Sequence, residues 1–451
     1  MHRLDALGAD GEYRSRNTEV ITDTAGTAVT EMTMTPPLFV SRTLSAQRKA
    51  GPATGYAAAL GTAAGIFVSD LVGGLDFDDY VRLTSRVSGL PPTVARAGAL
   101  AVAAALTDAA GGVAASRPLG ARADWRELPA DGGAAWARRG ELLAVLAPGN
   151  APGVHGLWPQ ALLMGYRVAV RPSRREPFTA HRLIQALRRA GVRDIDAVYL
   201  PTDHRGAGEL VQGADLALIY GAQDVVDRYA ADPTVLTNGP GRTKILVTAE
   251  QNWRDHLDVI VDSVAALGGM ACVNATAVLV EGDPGHLAAA LAERLAVMPA
   301  LPNTSDGAVL PTVPLVRAQA LARHVAATAA GSVALLGADQ MVADLGDGNA
   351  VLRPTVHLLG RPDPATLNAE LPFPCVWVAP WSRADGVAPL RKSLVLTAIT
   401  DDDDLVDTLL AEPTITNVYR GPVPTHHAAT HIPHEGYLAD FLMRNKGFVR
   451  R

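Results

Sequence analysis

Residues 143–154 read Leu-Ala-Val-Leu-Ala-Pro-Gly-Asn-Ala-Pro-Gly-Val, and this stretch decides the fold. Its apolar start is typical of a short buried strand, while Pro148 and Gly149 predict a tight loop. The residues after Val154, which include Trp158 and Pro159, predict a helix. A strand, a Pro/Gly loop and a helix in this order indicate one unit of a parallel α/β sheet.

Short apolar runs rich in Val, Ile and Leu recur along the chain, and each is a candidate buried strand. They cover residues 142–147, 168–170, 197–200, 216–220 and 245–247. Segments with helical patterns lie between them, for example residues 179–190 and 224–231. This alternation predicts a mostly parallel, doubly wound sheet, which is a nucleotide-binding architecture.

The length of 451 residues exceeds what one hydrophobic core usually supports, so we expect two large lobes. We predict an extended N-terminal arm over residues 1–40, a nucleotide-binding domain over 41–250 and a catalytic thiol domain over 251–425. Residues 122–139 and the tail 426–451 fit neither lobe, and we assign them to a smaller, separate arm.

Composition limits the function. The net charge of −6 gives no positive field for nucleic acid or an anionic membrane, so we expect a small-molecule substrate.

The N-terminal residues lack the apolar run of a secretory signal, and the alanine-rich segment 94–110 carries Arg96 and is too short and too weakly apolar for a membrane span. We expect this segment to be a buried helix and the protein to be cytoplasmic. The two cysteines, Cys272 and Cys375, exclude a disulfide framework, and Cys375 lies in an apolar run typical of a structural cysteine.

Four motifs carry groups with catalytic or binding chemistry. Asn150 is expected beyond the carboxyl end of a strand, where its side-chain N–H can bond a developing oxyanion. A second strand ends in Arg171-Pro-Ser173. Cys272 follows Gly268-Gly-Met-Ala and precedes a strand, and Glu370 precedes a strand bounded by Pro372 and Pro374.

In this order, from about Gly61 onward, the motifs resemble the aldehyde dehydrogenase superfamily. The resemblance implies an α/β fold with two doubly wound parallel-sheet lobes and a small oligomerisation arm, in which the C-terminal tail pairs with residues 136–139 to build a homodimer or homotetramer. It also implies an NAD(P)-dependent oxidoreductase. The Cys272 thiolate would attack the carbonyl carbon, and Asn150 with the Cys272 backbone N–H would hold the oxyanion.

The resemblance also assigns residues to the cofactor: Arg171, Ser173, Arg174, Gly221 and Glu370. Ser173 and the Gly221 turn would line the cofactor cleft, and Glu370 would bind the nicotinamide ribose. Arg171 stands where the family usually has a lysine, and Arg174 stands where NAD-preferring members often have a glutamate. Because arginine attracts a 2′-phosphate that glutamate repels, we expect NADP(H), with NAD(H) as the alternative. The competing interpretation of these arginines is a solvated basic surface.

A departure from the family pattern bears on the reaction. Aligned without gaps, Asn238-Gly-Pro-Gly-Arg242 replaces the family's Glu-Leu-Gly-Gly-Lys, so the glutamate that activates water is absent. Loss of a general base slows attack by water roughly 10²–10⁴-fold, which leaves the acyl enzyme free to react with another thiol. This departure, together with the sequence of residues 147–154, favours the acyl-thioester reductase branch of the family. In that branch the acyl group is carried as a thioester on coenzyme A or a carrier protein. The alternatives are a hydrolytic aldehyde dehydrogenase with a different base and a non-redox cysteine acyltransferase.

Two polar clusters remain. The acidic run 401–404 precedes an apolar helical pattern, so we expect it to cap a helix. A group of histidines near the C-terminus has irregular spacing that matches no standard metal site, and we expect a polar loop or the rim of the substrate pocket without a metal. Its members are His426, His427, His431 and His434.

Overall fold

Short apolar runs form the central strands of the two large sheets, and helices lie between them. The computed structural model describes residues 2–450. Up to residue 238 the strands are β1 (His2–Leu4), β2 (Ala6–Gly8), β3 (Gly11–Tyr13), β4 (Thr18–Thr22), β5 (Ala28–Thr33), β6 (Ala121–Arg122), β7 (Gly133–Arg138), β8 (Leu142–Leu146), β9 (Arg167–Arg171), β10 (Ala197–Tyr199), β11 (Leu216–Tyr220) and β12 (Val235–Asn238). The helices of this part are α1 (Pro37–Lys49), α2 (Ala57–Ser69), α3 (Phe77–Ser88), α4 (Pro92–Ser116), α5 (Gln160–Leu163), α6 (Phe178–Arg189), α7 (His204–Gly213) and α8 (Gln223–Tyr229).

The first large sheet has the order β12-β11-β8-β9-β10-β2-β3, and its strands from β12 to β10 are parallel. The chain runs from β8 outward to β10 and then returns to β11 on the other side of β8. Ligands bind beyond the carboxyl ends of the strands at such a change of direction, so the crevice lies between the ends of β8 and β11. The four strands predicted within residues 142–220 correspond to β8, β9, β10 and β11.

The N-terminal residues form strands that pair within two sheets. β2 and β3 add an antiparallel edge to the first sheet, with Leu7 opposite Tyr199. β1, β5 and β4 form a separate three-stranded sheet. The predicted arm over residues 1–40 is therefore extended in its strands, but its backbone groups pair within sheets and a helix, α1, begins at Pro37.

Beyond residue 238 the strands are β13 (Thr243–Val247), β14 (Ala275–Glu281), β15 (Thr312–Pro314), β16 (Val333–Leu336), β17 (Val342–Asp344), β18 (Asn349–Leu352), β19 (Thr355–Leu358), β20 (Cys375–Trp381), β21 (Ser393–Ile399), β22 (Ile415–Arg420) and β23 (Met443–Phe448). The helices of this part are α9 (Leu257–Ala265), α10 (Gly285–Ala296), α11 (Leu315–Thr328), α12 (Pro364–Leu367), α13 (Asp403–Ala411) and α14 (Leu438–Leu442).

The second large sheet has the order β16-β19-β20-β14-β13-β21-β22, and all of its pairs are parallel except β16 with β19. We predicted the run 245–247 as a strand of the first lobe, and this assignment is wrong. Lys244 of β13 pairs with Ala277 of β14 and with Leu396 of β21. An apolar run indicates a buried strand but carries no information on its partners, so the sequence pattern alone could not assign it.

A small sheet of order β23-β7-β6 joins the C-terminal tail to the middle of the chain. β23 runs antiparallel to β7, from Met443 opposite Arg138 to Phe448 opposite Gly133. This register confirms the predicted pairing of the tail with residues 136–139. The acidic run also behaves as predicted, because the Asp402 carboxylate accepts a hydrogen bond from the Leu405 backbone N–H at 2.9 Å and caps α13.

The alanine-rich helix α4 is longer and more exposed than predicted. It spans 25 residues, and with a mean hydropathy of 1.5 in its most apolar window it is the one helix within residues 2–450 that is long and apolar enough to cross a membrane. The expectation that this segment is too short and too weakly apolar for a span is therefore wrong. One face of the helix packs into the core of the first lobe through Ala95, Ala99 and Val102. The opposite face is largely exposed, because α4 lies at the surface of the lobe.

The second sheet provides a test of where the stability resides. Leu279, in the middle of β14, is fully buried. We expect Leu279→Ala to lower the free energy of unfolding by about 2–5 kcal/mol, because it removes buried methyl groups and leaves a cavity. The matched control is Leu119→Ala, since Leu119 is 98% exposed and should leave stability nearly unchanged. Urea unfolding monitored by circular dichroism measures both, and equal effects would contradict this assignment of the core.

Candidate active site

The candidate site lies where the carboxyl ends of β8 and β11 meet the turns that precede β13, β14 and β20. Tyr220, the last residue of β11, is half-buried near Cys272, and desolvation raises its pKa, with smaller contributions from the charges of Glu435 and Cys272. The Arg242 guanidinium, just before β13, donates a hydrogen bond to Gln223 Oε1 of α8 at 2.6 Å. The two lobes therefore contact each other at this cleft.

The backbone around Cys272 is held by close contacts that require glycine. A Cβ on Gly241 would lie 1.8 Å from the Cys272 carbonyl oxygen, and that same oxygen accepts a hydrogen bond from Thr243 Oγ1 at 2.8 Å. Gly269 has a φ of +65°, and a Cβ there would lie 2.4 Å from the Pro374 backbone nitrogen. Gly241 and Gly269 thus allow three turns to meet at the Cys272 backbone and the segment before it.

The Cys272 thiol keeps some contact with solvent, yet it is surrounded by enough protein atoms that desolvation raises its pKa well above the ordinary value. The negative charges of Glu435 and Glu370 raise it further. Desolvation and the charge of Glu370 also raise the pKa of Glu435, to about 8. The resting nucleophile is therefore a protonated thiol beside acidic groups, and it must lose its proton during attack.

His434 contacts this thiol directly. Its Nε2 lies 3.6 Å from Cys272 Sγ, which is within hydrogen-bonding distance for sulfur. Asn417, on β22, fixes the histidine by donating from Nδ2 to the His434 carbonyl oxygen at 2.5 Å and to the Leu394 carbonyl oxygen at 3.0 Å. Although His434 lies in a segment without regular structure, this hydrogen bond attaches it to the second sheet.

Asn150 lies in the loop after β8. A Cβ on Gly149 would be 2.3 Å from Ser173 Oγ, so this loop packs against the turn after β9. The Asn150 side-chain oxygen is buried without a hydrogen-bond partner, and within residues 2–450 the amide makes no hydrogen bond to another side chain or to the backbone. Its donors are therefore free for a substrate oxygen. The loop approaches β11, since Tyr220 Oη donates to the Val154 carbonyl oxygen at 3.5 Å.

Glu370 contacts the turn before β13, and Asn238 ends the strand before that turn. One oxygen of Glu370 accepts a hydrogen bond from the Arg242 backbone N–H at 2.6 Å, and desolvation raises the pKa of this carboxyl group. Asn238 is buried at the end of β12, and its side-chain oxygen has no hydrogen-bond partner. Its carbonyl oxygen accepts from the Gly221 N–H at 3.0 Å, which connects it to the turn after β11.

The basic residues after β9 line a cavity of about 300 Å³. Arg174 forms an ion pair with Glu19 at 2.9 Å, and Arg171 donates to the Thr202 carbonyl oxygen at 3.3 Å. Arg175 and Arg317 face the same cavity, and neither forms an ion pair within residues 2–450. Desolvation lowers the pKa of Arg175, and the nearby charge of Arg317 adds to this effect. The cavity thus carries more positive than negative charge.

Comparison with known proteins now identifies this arrangement. The family model described as "Aldehyde dehydrogenase family" matches residues 142–389, which is more than half of the chain. The chain belongs to the aldehyde dehydrogenase family. It is thus an NAD(P)-dependent oxidoreductase that acts on aldehydes. The comparison with curated proteins returned no match.

Solved structures of aldehyde dehydrogenases have the same fold. An NAD-dependent aldehyde dehydrogenase from Sinorhizobium meliloti is 18% identical with a TM-score of 0.83, over 99% of this chain and 94% of that chain. A gamma-glutamyl-gamma-aminobutyraldehyde dehydrogenase from Burkholderia cenocepacia is 15% identical with a TM-score of 0.82, over 100% and 97%. The aldehyde dehydrogenase KauB from Pseudomonas aeruginosa is 14% identical with a TM-score of 0.83, over 99% and 96%. The predicted α/β fold with two parallel-sheet lobes is confirmed.

This aldehyde dehydrogenase brings Cys272 and Glu370 together, as the sequence motifs suggested, and attaches the Asn150 loop to the Ser173 turn. The sequence analysis missed Glu435 and Tyr220, and it assigned His434 no contact with the thiol. Tyr220 ends a predicted strand at the change of chain direction, and this position could have identified it. Glu435 lies in an irregular segment, and no periodic pattern indicates its location.

The histidine group does not form one site. His434 faces Cys272, whereas His426 Nε2 lies 3.4 Å from an oxygen of Asp262 and the His427 ring packs edge-on against Tyr419. Within the described residues 2–450, no group of three or more His, Cys, Asp or Glu side chains could hold a metal ion. His426, His427 and His434 therefore contact different partners and do not form a shared metal site.

The acidic surroundings of the thiol predict a pH-dependent effect of Glu435→Gln. Because the Glu435 pKa is raised to about 8, its charge opposes the Cys272 thiolate only above that pH. We expect iodoacetamide to alkylate Cys272 equally in both proteins at pH 7, and faster in the variant above pH 8, by up to about 10-fold for each pKa unit. Mass spectrometry of the Cys272 peptide measures the rate. Asp407→Asn removes an exposed carboxylate of α13 and is the control. Identical rates at all pH values would contradict the effect.

Proposed function

We propose that this aldehyde dehydrogenase interconverts an aldehyde and an acyl thioester, as an acyl-CoA or carrier-bound acyl reductase. The observation that carries the proposal is Asn238, an amide at the position where the family has the carboxylate that activates water. An amide cannot accept the proton of an attacking water, so hydrolysis of the acyl enzyme is slow. The acyl group on Cys272 then remains available for transfer to or from another thiol.

The groups around Cys272 support the covalent step. Sγ forms a bond to the carbonyl carbon of the substrate, and the carbonyl oxygen becomes an oxyanion. The Asn150 amide and the Cys272 backbone N–H are the proposed donors to that oxygen, because an oxyanion next to preorganised donors is strongly stabilised. Collapse of this intermediate breaks the carbon–sulfur bond of the incoming thioester and leaves the acyl group on Cys272.

The residues of the cleft fit a nicotinamide dinucleotide. The phosphates would meet the positive charge of the cavity that Arg174, Arg175 and Arg317 line, and Glu370 would bond a ribose hydroxyl. A Cβ on Gly149 would collide with Ser173 Oγ, so glycine lets the Asn150 loop approach the turn after β9, where the first two of these arginines lie. When bound, the cofactor supplies or accepts the hydride at the acyl carbon.

We propose that the cleft prefers NADP(H) as its cofactor, with NAD(H) as the alternative. Its support is the charge balance in the cavity, where Arg175 and Arg317 have no carboxylate partner within residues 2–450. The Arg174 guanidinium is already paired with the Glu19 carboxylate. An incoming 2′-phosphate would compete with Glu19 for Arg174 and would meet Arg175 unopposed.

A hydrolytic aldehyde dehydrogenase is the second candidate function, and Glu435 is the observation that favours it. This carboxyl group lies near Cys272, and its pKa of about 8 would allow it to act as a base in alkaline solution. At neutral pH it is mostly protonated and cannot take a proton from water. Acyl transfer to a thiol is therefore the function that the site supports better at neutral pH.

Assembly and location stay predictions. We infer a homodimer or homotetramer built through the β23-β7-β6 sheet, whose β23 edge has no partner strand among residues 2–450. We also keep the prediction of a cytoplasmic protein that binds no nucleic acid.

The reaction can be tested with a panel of acyl-CoAs of two to sixteen carbons and with NADPH or NADH, followed at the absorbance of the reduced nicotinamide. We expect reduced cofactor to be consumed and an aldehyde to form. Cys272→Ser should abolish the reaction because it removes the nucleophile, while Cys375→Ala, which alters the buried cysteine of β20, should retain it. Formation of free acid from aldehydes with NAD(P)+, without any acyl-CoA reduction, would instead establish the hydrolytic enzyme.

The cofactor preference is tested by Arg174→Glu. We expect the KM for NADPH to rise by about 10-fold to 100-fold, because a hydrogen bond to a charged group contributes about 1.5–3 kcal/mol. The KM for NADH should change little. Arg361→Glu, an exposed arginine outside the cavity, is the matched control. An equal change for both cofactors would refute a 2′-phosphate contact at Arg174.

A further inference from the structure

The contact between His434 and Cys272 bears on how the thiol loses its proton. Sγ and His434 Nε2 are 3.6 Å apart, and within residues 2–450 this imidazole is the one basic side chain that makes a hydrogen bond to Sγ. The surrounding atoms and two carboxyl groups keep Cys272 protonated. A thiol of this kind becomes a good nucleophile only when a neighbouring base removes its proton as the new bond forms.

The histidine is held in place from two directions. Asn417, buried on β22, binds the His434 carbonyl oxygen, so the residue cannot move away from the sheet without breaking that bond. Three residues later, Tyr437 Oη donates to the His431 carbonyl oxygen at 2.6 Å and closes the loop between them. The ring is thus presented to the thiol by a fixed loop, although its outer edge is exposed to solvent.

We propose that His434 is the catalytic acid and base for thiol exchange at Cys272. This inference rests on the proposed acyl-thioester function. His434 Nε2 takes the proton of Sγ while Sγ bonds to the carbonyl carbon of an acyl thioester. It then gives that proton to the departing thiol sulfur while the original carbon–sulfur bond breaks. One proton moves from one sulfur to the other, one carbon–sulfur bond replaces another, and nothing is oxidised or reduced in this half-reaction.

Glu435 is a poorer choice for the same role. Its charge raises the pKa of Cys272, so an ionised Glu435 disfavours the thiolate next to it, and within residues 2–450 it makes no hydrogen bond to Sγ. A neutral imidazole has the opposite effect, because it becomes a cation when it accepts the proton and then attracts the thiolate. Desolvation lowers the pKa of His434, so its ring is neutral at neutral pH and can accept the proton.

The test uses the half-reaction without a nicotinamide cofactor. The full-length protein is mixed with the acyl-CoA that reacts fastest in the panel above, and acylation of Cys272 is followed by quenching and intact-mass spectrometry. We expect His434→Gln to slow acylation roughly 10²–10⁴-fold, the usual contribution of a general acid or base. His431→Gln alters an exposed histidine of the same loop and should acylate at the wild-type rate. Added imidazole should partly restore the rate of His434→Ala, because the small base can enter the space left by the ring.

The outcomes separate the two proposals. If wild-type protein is not acylated by any acyl-CoA, the proposed acyl-thioester function fails. If wild-type protein is acylated and His434→Gln reacts equally fast, only the role of His434 is overturned. Slow acylation of both His434 variants without rescue by imidazole also overturns it, because a residue that merely shapes the loop would give that result. Slow acylation with rescue establishes proton transfer.

Discussion

The contact between Gly241 and the Cys272 carbonyl is the constraint on which the rest of the site depends. It brings the turn before β13 against the turn before β14, and the pairing of these strands shifts register between Thr243 and Lys244. The shift leaves the Lys244 ammonium in the interior, where it donates to Asn368 Oδ1 at 2.9 Å and to Ser393 Oγ at 3.0 Å. Burial lowers the pKa of Lys244 to about 7. One side chain thus connects the strand beside the nucleophile to the segment before β20 and to the first residue of β21.

This packing determines the electrostatics of the thiol. Because the turns are close, the charges of Glu370 and Glu435 add to desolvation in raising the pKa of Cys272. A cysteine in such surroundings is unreactive at rest, unlike one activated by a nearby cation. Its reactivity then requires a base in contact and an electrophile in place at the same time. This requirement suits thioester exchange, in which a proton leaves one sulfur and is needed by another.

Much of the architecture was predictable, and the reasons for the failures are physical. Strands such as β8 and β11 are buried on both faces and therefore appear as continuous apolar runs. The partners of β13 were not predictable, because pairing depends on contacts between distant segments. Cys272, Asn150 and Glu370 lie in motifs with turn-forming neighbours, so the sequence indicates them. The contact of His434 with Cys272 joins residues 162 positions apart through a loop without regular structure, and no local pattern encodes it.

The amide at position 238 is consistent with the charges around it. Asn238 pairs with Tyr220 at the ends of β12 and β11, and Tyr220 is itself affected by the charges of Glu435 and Cys272. A carboxylate at 238 would therefore add a negative charge to a cleft in which the charge of Glu370 already opposes the thiolate. The amide removes that charge, and its buried, unpaired oxygen costs about 1–3 kcal/mol. The cleft thus favours a neutral group at 238 beside the acid at 435.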